Sequence, residues 1–343
     1  MTGLRRTIGR YLAMVIAVVV AVVGLCLVLN ILVDPLWYFR ANVLTGVSYA
    51  FNERLAKVDR FLPRMAEYDC IILGSSTAAL VPERMISGYH CFNMGFSGGR
   101  VSEVLLYGKY LRARGFAPKL LIVGVDKFNF DGPDLKPDVP DFIRDNRDPP
   151  PFWQSYLSLD ALGFSIRTLR GDYPNHRTFD EEFRSHIIAR RKPYVPPQVG
   201  PRDDPGEYHP ERAEMYVAVR RLFPEARAIG FVAPTRAWTF AQLKVDGWLD
   251  LYLGAIRQIA PAYDEFIDFA VPSEITMSTT NTYDGIHYVD AVNDRIAAVL
   301  VSGKPPPGVD WHTTSFDAIA AAYQNGSARL VGQAKAATPS SSE

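Results

Sequence analysis

The sequence predicts an α/β fold: a central parallel sheet covered by helices on both faces, preceded by one N-terminal membrane helix. Three observations carry this expectation. Residues 12–29, LAMVIAVVVAVVGLCLVL, run without a charge or a strongly polar side chain. The strand candidates, Ile71-Ile72-Leu73 and residues 120–125 among them, are apolar throughout instead of alternating, the pattern of strands buried on both faces. Strand, helix and strand also follow one another within about 60 residues, as parallel crossover units do.

Composition narrows the possibilities. With 343 residues the chain is long enough for one large domain or two modest ones. Its 37 basic and 37 acidic side chains cancel, so no field of one sign gathers nucleic acid, and no nucleic-acid partner is expected. Three cysteines are too few for a disulfide-stapled fold or an all-thiolate zinc site. A content of 48% hydrophobic and 22% charged residues excludes general disorder.

In chain order, residues 11–33 form the first element, about 34 Å as a helix against a hydrocarbon core of about 30 Å. A cleaved signal peptide fits less well, because the run exceeds the usual apolar length and no small-x-small site closes it. Arg5, Arg6 and Arg10 precede the run, whereas Asp34 and Glu53 follow it with Arg40 between, so residues 1–10 are placed in the cytoplasm. The main domain is then expected in the periplasm or outside the cell. A linker with a helix near residues 52–65 leads to the first strand at Cys70, and a second strand starts at Cys91. Next come a helix over 101–114, stopped by Gly115, and the strongest strand at 120–125.

Residues 131–210 read as an insertion, with proline-rich stretches at 133–151 and 193–210 around patterned segments at 152–170 and 179–190. It is expected at the sheet end that carries the site, because functional loops cluster beyond strand carboxyl ends. The alternation resumes with a helix at 211–223, a strand at 228–232, one long helix near 241–259, a strand at 266–269, a loop at 283–288 and a closing helix at 290–300. Beyond it, residues 301–343 read as a peripheral helix near 316–323 and a mobile tail.

Ligands of open parallel sheets sit beyond the carboxyl ends of the strands. Those positions hold Ser75 and Ser76, Gly98 and Gly99, Asp126, Arg236, and finally Asp284 and His287. A nucleophile, a base and an acid are all present. Ser76 is the candidate attacking hydroxyl, His287 the base that takes its proton, and Asp284 the carboxylate that orients the imidazole. The Gly98 and Ser76 N–H groups are candidate donors to an oxyanion. Read singly, a serine after a strand caps a helix and an Asp beside a His makes a surface hydrogen bond.

The segments Ile71-Ile72-Leu73-Gly74-Ser75-Ser76, Asn93-Met94-Gly95-Phe96-Ser97-Gly98 and Asp284-Gly285-Ile286-His287 resemble the first, second and fifth blocks of the SGNH (GDSL-type) hydrolases. The Gly-Ser-Ser form is similar to membrane-anchored envelope acylation proteins, namely the alginate O-acetylation proteins and the D-alanine transfer protein of teichoic-acid systems. The resemblance implies an SGNH-like three-layer fold over residues 69–300. It also implies Ser76, Asp284 and His287 as catalytic residues and Gly98 as an oxyanion donor. The third block departs from the family, which has an Asn after the central strand where this chain has Asp126. A charged Asp126 repels an oxyanion, so either Asn129 or a backbone N–H fills that role, or Asp126 orients substrate or a neighbouring side chain.

Arg236 is read either as a binder of an anionic or polyhydroxyl substrate or as an edge arginine held in a salt bridge. Trp37, Trp153, Trp238 and Trp248 either stack on sugars, Trp37 alternatively on lipid headgroups, or pack in the core. Histidines 90, 176, 186, 209 and 312 show no metal-ligand spacing, and neither metal nor cofactor is expected. Cys70 and Cys91 precede neighbouring strands in a compartment that permits a disulfide, although parallel neighbours rarely present its geometry. The expected function is that of a membrane-anchored serine acyltransferase or esterase acting on an envelope glycan. Its expected partners are that glycan, a membrane acyl-donor protein and the lipid bilayer. A noncatalytic assembly or glycan-binding protein of the same fold is the alternative, favoured by a charged Asp126 or a His287 turned away from Ser76.

Overall fold

A computed structural model describes residues 2–133, 135–173, 177–180, 183, 185–187 and 194–337. Its strands are β1 (Cys70–Leu73), β2 (Cys91–Asn93), β3 (Leu120–Val125), β4 (Arg177–Phe179), β5 (Ser185–Ile187), β6 (Arg227–Val232), β7 (Glu265–Asp268) and β8 (Val309–Asp310). A six-stranded sheet has the order β2-β1-β3-β6-β7-β8, and β4 pairs with β5 in a separate antiparallel hairpin. The fold is mixed α/β around a largely parallel sheet: β2, β1, β3, β6 and β7 run parallel, and the edge strand β8 is antiparallel. The chain divides into two units, Arg64–Asn146 with Arg190–Glu343, and Met1–Pro63 with Arg147–Ala189.

The first of these units holds the sheet. Strands β1 and β3 are buried at every position, so both faces are covered, as their unbroken apolar sequences require. On one face Ile72, Ile122, Ile229, Phe231 and Ile267 pack against Val292, Ile296 and Leu300 of the helix Asp290–Ser302. Each such buried side chain contributes about 1.5–3 kcal/mol relative to exposure. The strand order reverses between β1 and β3, and their outgoing loops diverge there. Such a switch point opens a crevice at the carboxyl edge of a parallel sheet.

Several elements of this unit differ from their sequence expectations. Cys70 and Cys91 are register partners of β1 and β2 and form a disulfide, despite their parallel pairing. The single helix expected over 241–259 is two, Ala237–Val245 and Leu249–Ile259, because Gly247 between them takes a left-handed turn at φ +78°. The short peripheral helix runs as Phe316–Ala337, so the expected mobile tail is helical as far as residue 337 and otherwise lies outside the described residues. Its Leu330 packs on Ala237 and Ala241, and the Tyr323 hydroxyl donates to the buried Asp268 carboxylate. Burial pushes Asp268 up to about 6, against hydrogen bonds from the Ala270 N–H, Tyr323 and the Trp311 indole.

The second unit contains the N-terminal helix Thr2–Val33, whose Arg6–Val33 stretch is long and apolar enough to cross a membrane. Of residues 34–68, expected as a linker and helix, the stretch 34–63 belongs to this unit and packs, with Trp37, Ala41, Ala50 and Ala56 in one buried cluster. Trp37 is fully buried against Phe179 and Phe183, which removes both its sugar-stacking and its headgroup readings. Asn52 caps the helix Glu53–Phe61 by accepting the Leu55 N–H at 3.1 Å. The insertion at 131–210 is not one body, because its middle, Arg147–Ala189, belongs to this unit while its two ends belong to the sheet unit. The segment 152–170 forms the helices Phe152–Tyr156 and Leu159–Leu169, split where Ser158 caps the second. Of segment 179–190, residues 181, 182, 184 and 188–190 lie outside the described residues.

Candidate active site

Strand β1 ends at Leu73, and the chain turns through Gly74 and Ser75 to present Ser76 at the carboxyl edge of the sheet. The turn is clasped from β2: the Phe96 N–H donates to the Gly74 carbonyl at 3.3 Å, and the Gly99 N–H closes on the Phe96 carbonyl at 3.1 Å. Gly98 therefore lies in a tight turn bound to the Ser76 loop. Its φ is +63°, and a Cβ there meets nothing within 4 Å, so backbone conformation rather than crowding selects glycine.

Asp284 and His287 arrive on the loop between β7 and the helix Asp290–Ser302. The Thr282 hydroxyl donates to the His287 carbonyl at 2.9 Å and accepts the Gly285 N–H at 2.7 Å, which ties the two ends of the turn together. Arg236 fixes it from outside, its N–H donating to the Gly285 carbonyl and its guanidinium to the Asp284 carbonyl, both at 2.8 Å. Gly285 has φ +86°, and a Cβ there falls 2.3 Å from Arg236 Cδ. A Gly285→Ala variant thus combines left-handed strain with displacement of the arginine. It is expected to destabilise the fold by about 1–3 kcal/mol, read as a lowered Tm, with larger loss of whatever activity the loop supports.

The three side chains meet in one line. His287 Nε2 lies 2.8 Å from Ser76 Oγ, and His287 Nδ1 lies 2.8 Å from Asp284 Oδ2. The other carboxylate oxygen, Asp284 Oδ1, accepts the N–H groups of His287 at 2.8 Å and Ile286 at 3.0 Å. Partial burial works to raise the Asp284 pKa, but the His287 ring and these N–H groups outweigh it and hold the carboxyl below its ordinary value. A carboxylate on Nδ1 favours the tautomer protonated there and leaves the Nε2 lone pair facing the serine hydroxyl. Such an arrangement can deprotonate Ser76 as it attacks a carbonyl carbon.

Asp126 follows β3 and lies beneath this loop. Thr77 Oγ1 donates to Asp126 Oδ1 at 2.6 Å, and Ser75 Oγ is 3.2 Å from Thr77 Oγ1. The residue is 6% exposed, so its carboxyl holds the Ser75-Thr77 turn instead of facing a substrate. Its Oδ2 is buried and has no hydrogen-bond partner among the described residues. Burial raises its pKa, partly offset by hydrogen bonds from Thr77 and Ser75 and by the His287 charge. Its carboxyl is thus easier to protonate than an exposed one.

A pH test follows from that shift. Because the folded pKa lies above the unfolded one, the stabilisation is complete below the ordinary value of 3.8 and is lost as pH rises through the folded value. In that window the slope reaches about 1.4 kcal/mol per pH unit. Asp126→Asn keeps an acceptor for Thr77 and never ionises. Its advantage over the parent in urea denaturation should grow as pH rises above 4, and equal pH dependence of the two proteins contradicts this account.

Asn129, one of the alternatives for the oxyanion donor, is held at both ends of its amide. Its Oδ1 accepts the Val101 N–H at 2.8 Å and its Nδ2 donates to the Tyr216 hydroxyl at 2.9 Å, so both ends of the amide pin the helix Val101–Ala113 and the β3 loop. Thr77 and Tyr216 were not among the sequence candidates. Thr77 adjoins Ser76 in the chain, a signal that was available, whereas Tyr216 lies 87 residues from Asn129 and has none. Arg236 also borders a cleft of about 530 Å³ whose lining includes Lys127, Gln198, Arg202, Trp238 and Gln242. Trp238 faces this cleft, while Trp248 stacks on Tyr208 with ring centroids 5.1 Å apart. No protein-family model matches the chain, and a search of curated proteins finds no match.

Proposed function

We propose that the chain is a membrane-anchored, serine-dependent acyltransferase or esterase of SGNH type, acting on a cell-surface polysaccharide or another envelope glycan. The observation that carries the reading is the continuous contact Ser76–His287–Asp284, 2.8 Å at each step, at the carboxyl edge of a parallel sheet. In the proposed reaction Ser76 Oγ attacks the acyl carbonyl carbon while its proton passes to His287 Nε2. The Ser76 and Gly98 N–H groups stabilise the oxyanion. Collapse breaks the bond to the leaving group, which takes the proton from His287 and leaves an acyl-serine. A sugar hydroxyl or water then gives its proton to His287 as it attacks the acyl carbon, and His287 returns that proton to Ser76 Oγ as the acyl–serine bond breaks. The orientation of His287 toward Ser76, at 2.8 Å, supports this reading over the noncatalytic alternative.

Anchorage is part of the proposal. The apolar helix holds the domain beside a membrane acyl donor, and the Cys70–Cys91 disulfide supports an oxidising compartment for the domain. Three arginines ahead of the helix support a cytoplasmic N-terminus. Protease added outside spheroplasts is expected to degrade the bulk of the chain and leave a short N-terminal fragment. Protection of the large domain until lysis contradicts this topology. The catalytic part is tested separately by incubating the purified protein with an activated acyl ester and following release of its leaving group.

A further inference from the structure

The helix Leu159–Leu169 lies along the C-terminal end of Thr2–Val33. Its buried face consists of the small residues Ala161, Ser165 and Thr168. Beside that face runs an apolar stripe, Leu159, Leu162, Ile166 and Leu169, spaced three and four residues apart, with Leu159 84% exposed and Ile166 and Leu169 also exposed. Trp153 and Leu157 ahead of it are exposed as well. The charged side chains Asp160, Arg167 and Arg170 occupy the remaining sector.

Length decides what meets the stripe. The N-terminal helix is exposed at residues 6–25, and its burial begins at Cys26. From Tyr11 to Leu25 the apolar stretch spans about 22 Å at 1.5 Å per residue, short of a hydrocarbon core of about 30 Å. A membrane that this helix crosses must extend past Cys26, over residues that Phe152–Leu169 covers. Leu27 and Ile31 pack there against Tyr156 and Ala161. At the same level Asn30, a polar residue in the apolar run, donates from Nδ2 to the Tyr156 carbonyl at 2.7 Å and accepts the Ser165 hydroxyl at 2.8 Å. A side-chain amide at hydrocarbon depth needs such protein partners because no water reaches it.

We infer that the helical pair Phe152–Tyr156 and Leu159–Leu169 is a second membrane-contacting element, entering the outer leaflet beside the N-terminal helix with its apolar stripe against lipid acyl chains. The inference rests on the reading that Thr2–Val33 spans the bilayer. Its consequence is that the protein is seated in the membrane on two elements instead of being tethered by one.

The test uses the full chain in phosphatidylcholine and phosphatidylglycerol vesicles. Single cysteines are placed at Leu159, Ile166, Val20 and Asp203 in a Cys26→Ser background, with retention of the Cys70–Cys91 disulfide as the check on folding. Each carries an environment-sensitive fluorophore, and quenching by acyl-chain nitroxide lipids is measured. The labels at Leu159→Cys and Ile166→Cys are expected to be quenched at least threefold more strongly than the label at the exposed Asp203→Cys. The membrane-centre label at Val20→Cys should be quenched most by deep nitroxides. Strong quenching at Val20→Cys with Leu159→Cys and Ile166→Cys no different from Asp203→Cys overturns this inference alone. Absence of quenching at Val20→Cys overturns the spanning reading and this inference with it.

Discussion

Ser76→Ala is expected to lower kcat toward an activated acyl ester by at least about 10³-fold while leaving the fold intact. The size of the effect follows from losing the attacking atom, which no neighbour replaces: Ser75 and Thr77 are buried and engaged with each other, and Thr77 Oγ1 is held on Asp126. The fold should survive because the Ser76 hydroxyl faces His287 in a half-buried site and is not part of the core. Kinetics of the purified variant, with its melting temperature as control, check both halves. A variant retaining more than a tenth of the parental kcat contradicts the role of Ser76.

His287→Ala should be nearly as damaging, and a Ser76→Ala/His287→Ala double variant should be no worse than either single change, because the two side chains act in the same step. Asp284→Ala should cost less than His287→Ala, since the carboxylate orients and stabilises the imidazole without accepting the proton itself. Asp284→Asn is the sharper comparison: an amide nitrogen at Oδ2 faces Nδ1 with a donor and favours the wrong tautomer, for an expected loss of about 10³ to 10⁴. The pH profile adds a further constraint. Because Asp284 is held below its ordinary carboxyl value of 3.8, it remains ionised through the working range, and an acid limb above pH 5 belongs to another group. Equal activity of Asp284→Asn and the parent contradicts the proposed relay.

How much of this was legible in the sequence depended on the range of the interactions. Strand β3 was readable to both ends because Pro118 and Asp126 bound an unbroken apolar run. Ser76, Asp284 and His287 were readable as candidates because each follows a strand or closes a turn in a fold whose ligands gather at one edge. Strand β8, Val309-Asp310, has no apolar run and exists because it pairs with β7, information held elsewhere in the chain. The long C-terminal helix escaped notice for a similar reason. Its alanine-rich sequence has a weak apolar period, and its partners are Ala237, Ala241 and Asp268. The division of residues 131–210 between two units follows from contacts such as Phe179 on Trp37, 142 positions apart, which no local pattern encodes. The groups that hold Asn129, Val101 N–H and Tyr216, became visible only in three dimensions.

Mapping the acyl adduct tests the central claim most directly. The purified protein is treated with an activated acyl ester, quenched in acid within the first turnover, digested and examined by peptide mass spectrometry, with His287→Ala and Ser76→Ala in parallel. The account predicts one added acyl group on the peptide containing Ser76, assigned by fragmentation to Ser76 Oγ, formed much more slowly in His287→Ala and absent from Ser76→Ala. Adduct on another residue, or turnover of the ester by folded protein with no dependence on Ser76, contradicts it.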